Sequence, residues 1–253
     1  GSGGPRRNRN KCFRPLSAKV GAVILRSDFM NVTEALTYIH SVCWKGSIPG
    51  LSRTKELLAR MGNPEKRLRF VHIAGTNGKG STAAMIASVL QKAGYRTGLY
   101  TSPYLFRFHE RMKVNGEDIT DGELAEITQW VKPHAEAMED HPTEFELVTA
   151  IAMEYFARQR CDIVVLEVGM GGEWDSTNVI DPPEAAVICN LGLDHTEVLG
   201  DTLEKIARAK AGIIKPGCPV VLYRNIPSVE AVFEAACRER GAELYKVDFQ
   251  ALH

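Results

Sequence analysis

From Met30 onward the chain alternates short continuous apolar runs with longer segments in which apolar residues return every three or four positions. The first pattern suits strands buried on both faces and the second suits amphipathic helices. Strands are expected at 69–74, 96–101, 162–168, 185–190, 219–223 and 243–247. Helices are expected from a capped start at Asn31-Val32-Thr33-Glu34 to Ile39, then at 81–93, 121–138, 144–158, 202–211 and 228–240. Gly94 follows the second helix as a C-terminal cap. Strands alternating with helices predict an α/β fold built on a mostly parallel, doubly wound sheet covered on both faces. No internal repeat interrupts the series.

Residues 1–29 have a different character. Gly1-Ser2-Gly3-Gly4 reads as a linker, and Arg6, Arg7, Arg9, Lys11 and Arg14 follow with almost no acid. We read 1–29 as a disordered or non-native leader and 30–253 as the folded domain. A basic arm for RNA is the competing reading of the leader.

Lysine plus arginine and aspartate plus glutamate each number 31, so the formal charge is +0 across 253 residues. That balance argues against a nucleic-acid or membrane-surface partner. No apolar run approaches the ~20 residues that span a bilayer. The six cysteines are scattered without a Cys-x-x-Cys pair, which points to reduced thiols, a cytoplasmic setting and no zinc site.

The chemistry concentrates at Gly75-Thr76-Asn77-Gly78-Lys79-Gly80-Ser81, between an expected strand and an expected helix. Glycines there let backbone N–H groups approach phosphate oxygens, and the helix N-terminus adds its positive dipole end. Lys79 would neutralise β- and γ-phosphate charge. The spacing departs from the strict G-x-x-x-x-G-K-[ST] pattern, because two residues separate Gly75 from Gly78 and Gly80 follows the lysine. A glycine-rich turn used for packing alone is the bland alternative. Lys79, with Ser81 and Thr82 behind it, favours nucleotide.

The string from His72 to Thr82 resembles the phosphate loop of the folate branch of the Mur ligases, the folylpolyglutamate and dihydrofolate synthases. Four more stretches resemble that branch in the same order: Thr101-Ser102-Pro103-Tyr104-Leu105 with Arg107-Phe108-His109-Glu110-Arg111; Thr143-Glu144-Phe145-Glu146; Leu166-Glu167-Val168-Gly169-Met170-Gly171-Gly172 with Asp175-Ser176-Thr177-Asn178; and Leu193-Asp194-His195-Thr196 with Lys210-Ala211-Gly212-Ile213-Ile214-Lys215. The resemblance implies a Mur central-domain fold and an ATP-dependent ligase that adds L-glutamate to a folate-type carboxylate through an acyl phosphate. It implies ATP contacts at Thr76, Asn77, Gly78, Lys79, Gly80 and Ser81. Two Mg²⁺ ions are implied, with Ser102, Glu167 and His195 as ligands and Lys210 carbamylated by CO₂. Lys79, His195 and Lys210 are then the catalytic set.

Glu167 also suits Mg²⁺ on its own chemistry, since it ends an apolar strand whose carboxyl end faces a ligand crevice. The competing reading is an ion pair with a neighbouring Lys or Arg. His195 alone would read as a hydrogen-bonded loop residue, because Mg²⁺ prefers oxygen. Loops 101–111 and 171–178 carry aromatic and polar residues fit to stack a flat heterocycle. Thr143, Glu144, Phe145, Glu146, Trp174, Asp175 and Ser176 are the implied folate or dihydropteroate contacts, with 47–49 as a weaker addition. Glu173-Trp174-Asp175 departs from the commoner Arg-Leu-Asp of the family, which leaves the acceptor's oxidation state open.

Family members continue into a second α/β domain that supplies glutamate contacts. The expectation is therefore a truncated chain that lacks turnover by itself, with a monomer as the full-length form. A peptidoglycan or cyanophycin-type Mur ligase and a non-catalytic nucleotide-binding module are the alternatives. A metabolic P-loop kinase ranks below both.

Overall fold

The computed structural model describes residues 29–46, 48–194 and 196–248. The leader 1–28, Ser47 and His195 lie outside the described residues, so the expectations placed on them are not addressed by it. Eight strands, β1 (Phe70–Ala74), β2 (Thr97–Tyr100), β3 (Met112–Val114), β4 (Glu117–Asp118), β5 (Ile163–Glu167), β6 (Ala185–Ile188), β7 (Val220–Leu222) and β8 (Leu244–Lys246), form one sheet. Their order is β4-β3-β2-β5-β1-β6-β7-β8. β2, β5, β1, β6, β7 and β8 run parallel, and β3 and β4 add antiparallel at one edge.

The helices are α1 (Val32–Ser41), α2 (Ser52–Arg60), α3 (Lys79–Lys92), α4 (Asp121–Glu136), α5 (Glu144–Arg158), a single turn α6 (Thr196–Leu199), α7 (Leu203–Ala211) and α8 (Pro227–Arg240). Asn31, Thr120 and Thr143 each close a capping box with a glutamate three residues on. Such boxes satisfy two backbone donors that the helix start leaves free, and so fix where α1, α4 and α5 begin.

Strand alternation sorts the core. Phe70, Tyr100, Val164 and Leu166 pack with α1, α2, α4 and α5, while Ala186, Ile188, Val220 and Leu222 pack with α7 and α8. Val71, Ile73, Leu99, Ile163 and Val165 turn the other way, onto Ala83 and Ala87 of α3. Coverage of both faces thus holds over β2, β5 and β1. Farther out, the in-register row Val187, Val221 and Tyr245 stays half-buried to exposed among the described residues.

Three elements are additional to those the hydrophobic pattern predicts: the single turn α6, α2 and the β3–β4 hairpin. α2 buries Arg53 and Thr54 beside Leu57 and Leu58, so half of its inward stripe is polar and gives no apolar period. The β3–β4 hairpin turns at Asn115-Gly116, with φ of 50° and 87°. Asn-Gly is the dipeptide that tolerates two successive positive φ values.

Candidate functional site

β1 sits between β5 and β6, and the chain crosses from one side of β1 to the other between them. This is the switch point at which parallel sheets open a crevice beyond their carboxyl ends. The phosphate loop and the groups around it gather there.

The phosphate loop leaves β1 at Gly75 and enters α3 at Lys79, with Gly78 as the capping residue at φ 79°. A side chain at 78 would be strained in that left-handed conformation, whereas glycine is not. The loop is tied to the segment just past β6 by hydrogen bonds from Thr76 N–H (2.9 Å) and Asn77 N–H (3.3 Å) to Asn190 O. Thr76 Oγ1 donates to Gly192 O at 3.1 Å. Lys79 folds back and donates to Thr76 O at 3.2 Å.

Glu167, at the end of β5, is only 4% exposed. Its oxygens lie against the first turn of α3, where a Cβ on Gly80 would come within 3.5 Å of Oε2. Oε2 accepts from Ser102 N–H at 3.0 Å, which places the second residue past β2 at the same spot. Burial raises the carboxyl pKa, while the Ser102 bond and the nearby Lys79 charge oppose that shift. A carboxylate held in so dry a place favours a cation beside it. Carboxylate and hydroxyl oxygens are the hard donors Mg²⁺ takes, usually one or two from protein with phosphate and water completing the shell. Glu167 and Ser102 therefore fit Mg²⁺ at the mouth of the phosphate loop.

Lys210, on α7, is 4% exposed and donates to Gly75 O at 2.8 Å. Burial, and then the neighbouring Lys79 charge, bring its pKa down to about 8. The sequence shows one lysine among several on a helix face; the structure singles it out by burial.

A cavity of about 680 Å³ opens beside these groups. Its walls include Thr143, Phe145, Trp174, Asp175 and Ser176 from the residues expected to bind acceptor, and Ser102 from the metal set. Ile48 and Pro49 also line it, as does Arg111, whose guanidinium stacks on Tyr104 and Phe108 at 5.2 and 5.6 Å from the ring centroids. Trp174 stands at 58% exposure, and its carbonyl accepts from Gly50 N–H at 3.4 Å. The loop bearing it is pressed onto α7: Glu173 N–H donates to Ala209 O at 2.9 Å, and a Cβ on Gly172 would sit 2.8 Å from that same oxygen.

Two of the expected contacts turn elsewhere. Glu144 pairs with His40 at 3.1 Å. Glu146 is buried and accepts from Arg53 Nε at 3.1 and 2.9 Å through its two oxygens. The Asp175 carboxylate is also engaged within its own loop, accepting from Thr177 N–H and Met170 N–H at 2.9 Å each. Sequence reasoning missed Arg53, which spans Glu146, Asp140 and the Ile48 carbonyl. It also missed Arg208, on the cavity wall. A basic residue in a helix of mixed polarity carries no signal of such a role.

A second hollow of about 690 Å³ lies along the β3–β4 edge. Its charges answer one another, Arg107 with Asp121 at 3.9 Å and Lys113 with Asp118, so it reads as a solvated ion-pair surface.

The family model of the Mur ligase middle domain matches residues 73–249. The dihydrofolate synthase/folylpolyglutamate synthase of Bacillus subtilis is 46% identical over 230 residues, covering 89% of this chain and 52% of that protein. Among solved structures, an FPGS–AMPPCP–folate complex superposes with a TM-score of 0.82 at 41% identity, over 87% of this chain and 55% of that one. E. coli FolC in complex with DHPP and ADP gives 0.77 at 33% identity, over 85% and 51%. The chain spans about half the length of the relatives it matches.

Proposed function

The chain belongs to the Mur ligase middle-domain family, and from that premise we propose that it is the nucleotide-binding portion of an ATP-dependent ligase joining L-glutamate to the carboxylate of a folate-type acceptor. The observation that carries this reading is Ser102. It lines the acceptor cavity, and its backbone N–H binds the Glu167 carboxylate at the foot of the phosphate loop. A carboxylate seated in the cavity thus has a short path to a γ-phosphate on the loop. The relatives agree in kind: one binds AMPPCP with folate, another DHPP with ADP.

In the proposed reaction the acceptor carboxylate attacks the γ-phosphorus of ATP, giving an acyl phosphate and ADP. The glutamate amine then displaces inorganic phosphate to form the amide. Lys79 leaves the Thr76 carbonyl to meet the β- and γ-oxygens, and the amides of 76–81 cradle the phosphates. No covalent nucleophile is required, so the protein contributes position and charge. Glu167 and Ser102 would hold Mg²⁺, which neutralises charge on the phosphoryl group; His195 completes the proposed ligand set. Lys210 is the proposed carbamate site for a second ion. Its lowered pKa leaves a share of neutral amine at physiological pH, the form that takes up CO₂. The proposed full-length form is a monomer working on cytoplasmic ATP and glutamate.

Calorimetric titration tests the reading. Mg-ATP should bind, and dihydropteroate or a reduced folate should bind to the nucleotide complex. A UDP-muramyl precursor should not. Nucleotide binding with no pteridine uptake, or with muramyl uptake, would overturn it.

A further inference from the structure

His72 is the polar exception in β1, fully buried among Phe70, Val71, Ile73 and Ala74. A buried imidazole is costly unless it is bonded, and this one is bonded in a specific sense. Its Nε2 lies 2.9 Å from Thr177 Oγ1. The Thr177 hydroxyl has a single hydrogen, and Asp175 Oδ1, 2.5 Å away, accepts it. Only a lone pair then faces the imidazole, so Nε2 must carry the ring hydrogen and donate. Burial, reinforced by the Lys215 charge, holds the imidazole pKa down to about 3, which keeps the ring neutral. Nδ1 is left as a bare buried acceptor with no partner among the described residues.

The donors therefore run one way. The His72 ring donates to the Thr177 hydroxyl, which donates to the Asp175 carboxylate. That carboxylate receives Thr177 N–H on Oδ1 and Met170 N–H on Oδ2. Met170 and Asp175 both line the acceptor cavity, whereas His72 does not. We propose that His72 is a positioning residue for that cavity: through Thr177 and Asp175 it fixes the 169–176 loop that forms one wall. An apolar residue would fill the strand as well as histidine does; what histidine adds is one directed hydrogen bond. The inference rests on the proposed function only for the identity of the acceptor.

The test compares His72→Leu, His72→Gln and Thr177→Val. Glutamine can place an amide N–H near the position of Nε2, whereas leucine leaves the Thr177 lone pair unmatched. Hydrogen exchange at the Met170 and Thr177 amides should quicken about tenfold or more in His72→Leu and Thr177→Val, with α8 unchanged. His72→Gln should stay within about threefold of wild type. Folate affinity should fall about tenfold in the first two variants, while Mg-ATP affinity stays within about twofold.

Unchanged exchange in His72→Leu, or a glutamine variant as fast as leucine, overturns the proposal. So does quickening that spreads to α8. If His72→Leu fails to fold, Thr177→Val gives the same reading from the middle of the relay. A wild type that binds no folate yet shows the predicted exchange pattern would sink the acceptor assignment and leave the positioning role standing.

Discussion

The phosphate loop and the proposed acceptor cavity share one crevice but are built in opposite ways. The loop is a single uninterrupted string, 75–81, at one strand-to-helix junction. The cavity takes its walls from residues near 48, 102, 111, 143, 172, 198 and 208. The loop's shape is set mainly within the string, by a left-handed Gly78 and a helix start, and is then tied to Asn190, Gly192 and Lys210 from outside it. The cavity's geometry exists only once clamps between distant segments have closed, Arg53 holding Glu146 and Ile48, and Glu173 holding Ala209. A site built mostly within one string depends less on the rest of the fold than an assembled one, which inherits every weakness of its supports.

The sharpest way to break that comparison is Arg53→Met. It strands the Glu146 carboxylate, 2% exposed, without its cation. Losing one partner of a buried pair costs about 3–5 kcal/mol, to be read by urea denaturation. Adding Glu146→Leu should recover most of it. In the recovered protein, acceptor affinity should remain lowered while Mg-ATP binding is kept.

Lys79→Ala is the converse. It should weaken Mg-ATP by about 2–3 kcal/mol, roughly 30- to 150-fold by calorimetry, with little change in thermal midpoint.

Glu167→Gln follows, read as stability against pH without divalent cation. Burial raises the folded pKa of Glu167 above its ordinary value of 4.5. Above pH 4.5 the folded state therefore holds more of this proton than the unfolded state. Stability then falls as pH rises through the folded pKa, by at most about 1.4 kcal/mol per pH unit. The glutamine variant should flatten that decline, and Mg-ATP should offset it in the wild type alone.

Trp174→Ala should have the smallest effect, about fivefold in acceptor affinity, because the ring stands on the exposed lip. Nucleotide affinity should not move.

Legibility in the sequence follows the same division. Gly75 to Ser81 is readable because backbone donors, glycine and one lysine are adjacent in the chain. The strand series is readable because most of the six parallel strands are near-continuous apolar runs and the helices between them keep period, with Leu244-Tyr245-Lys246 of β8 the partly exposed exception. The capping boxes at Asn31, Thr120 and Thr143 set helix starts by short-range chemistry. Glu144 and Glu146 show where local reading stops: they flank the cavity residue Phe145, yet their partners His40 and Arg53 lie about a hundred positions upstream. Lys210 is the same case, since its burial against Gly75 O arises from a contact 135 residues long. The missed α2 failed for another reason, a buried face that is half polar.

The strand order has a consequence for synthesis. β1 ends at Ala74, but its two sheet neighbours begin only at Ile163 and Ala185. A chain emerging from the ribosome thus presents β1 with both hydrogen-bonding edges open until nearly ninety further residues have appeared, and with one edge open until more than a hundred have. Loop closure over that span is slow, and open edges invite pairing with other chains. The strand that leads into the phosphate loop therefore depends on shelter during translation, until β6 has docked.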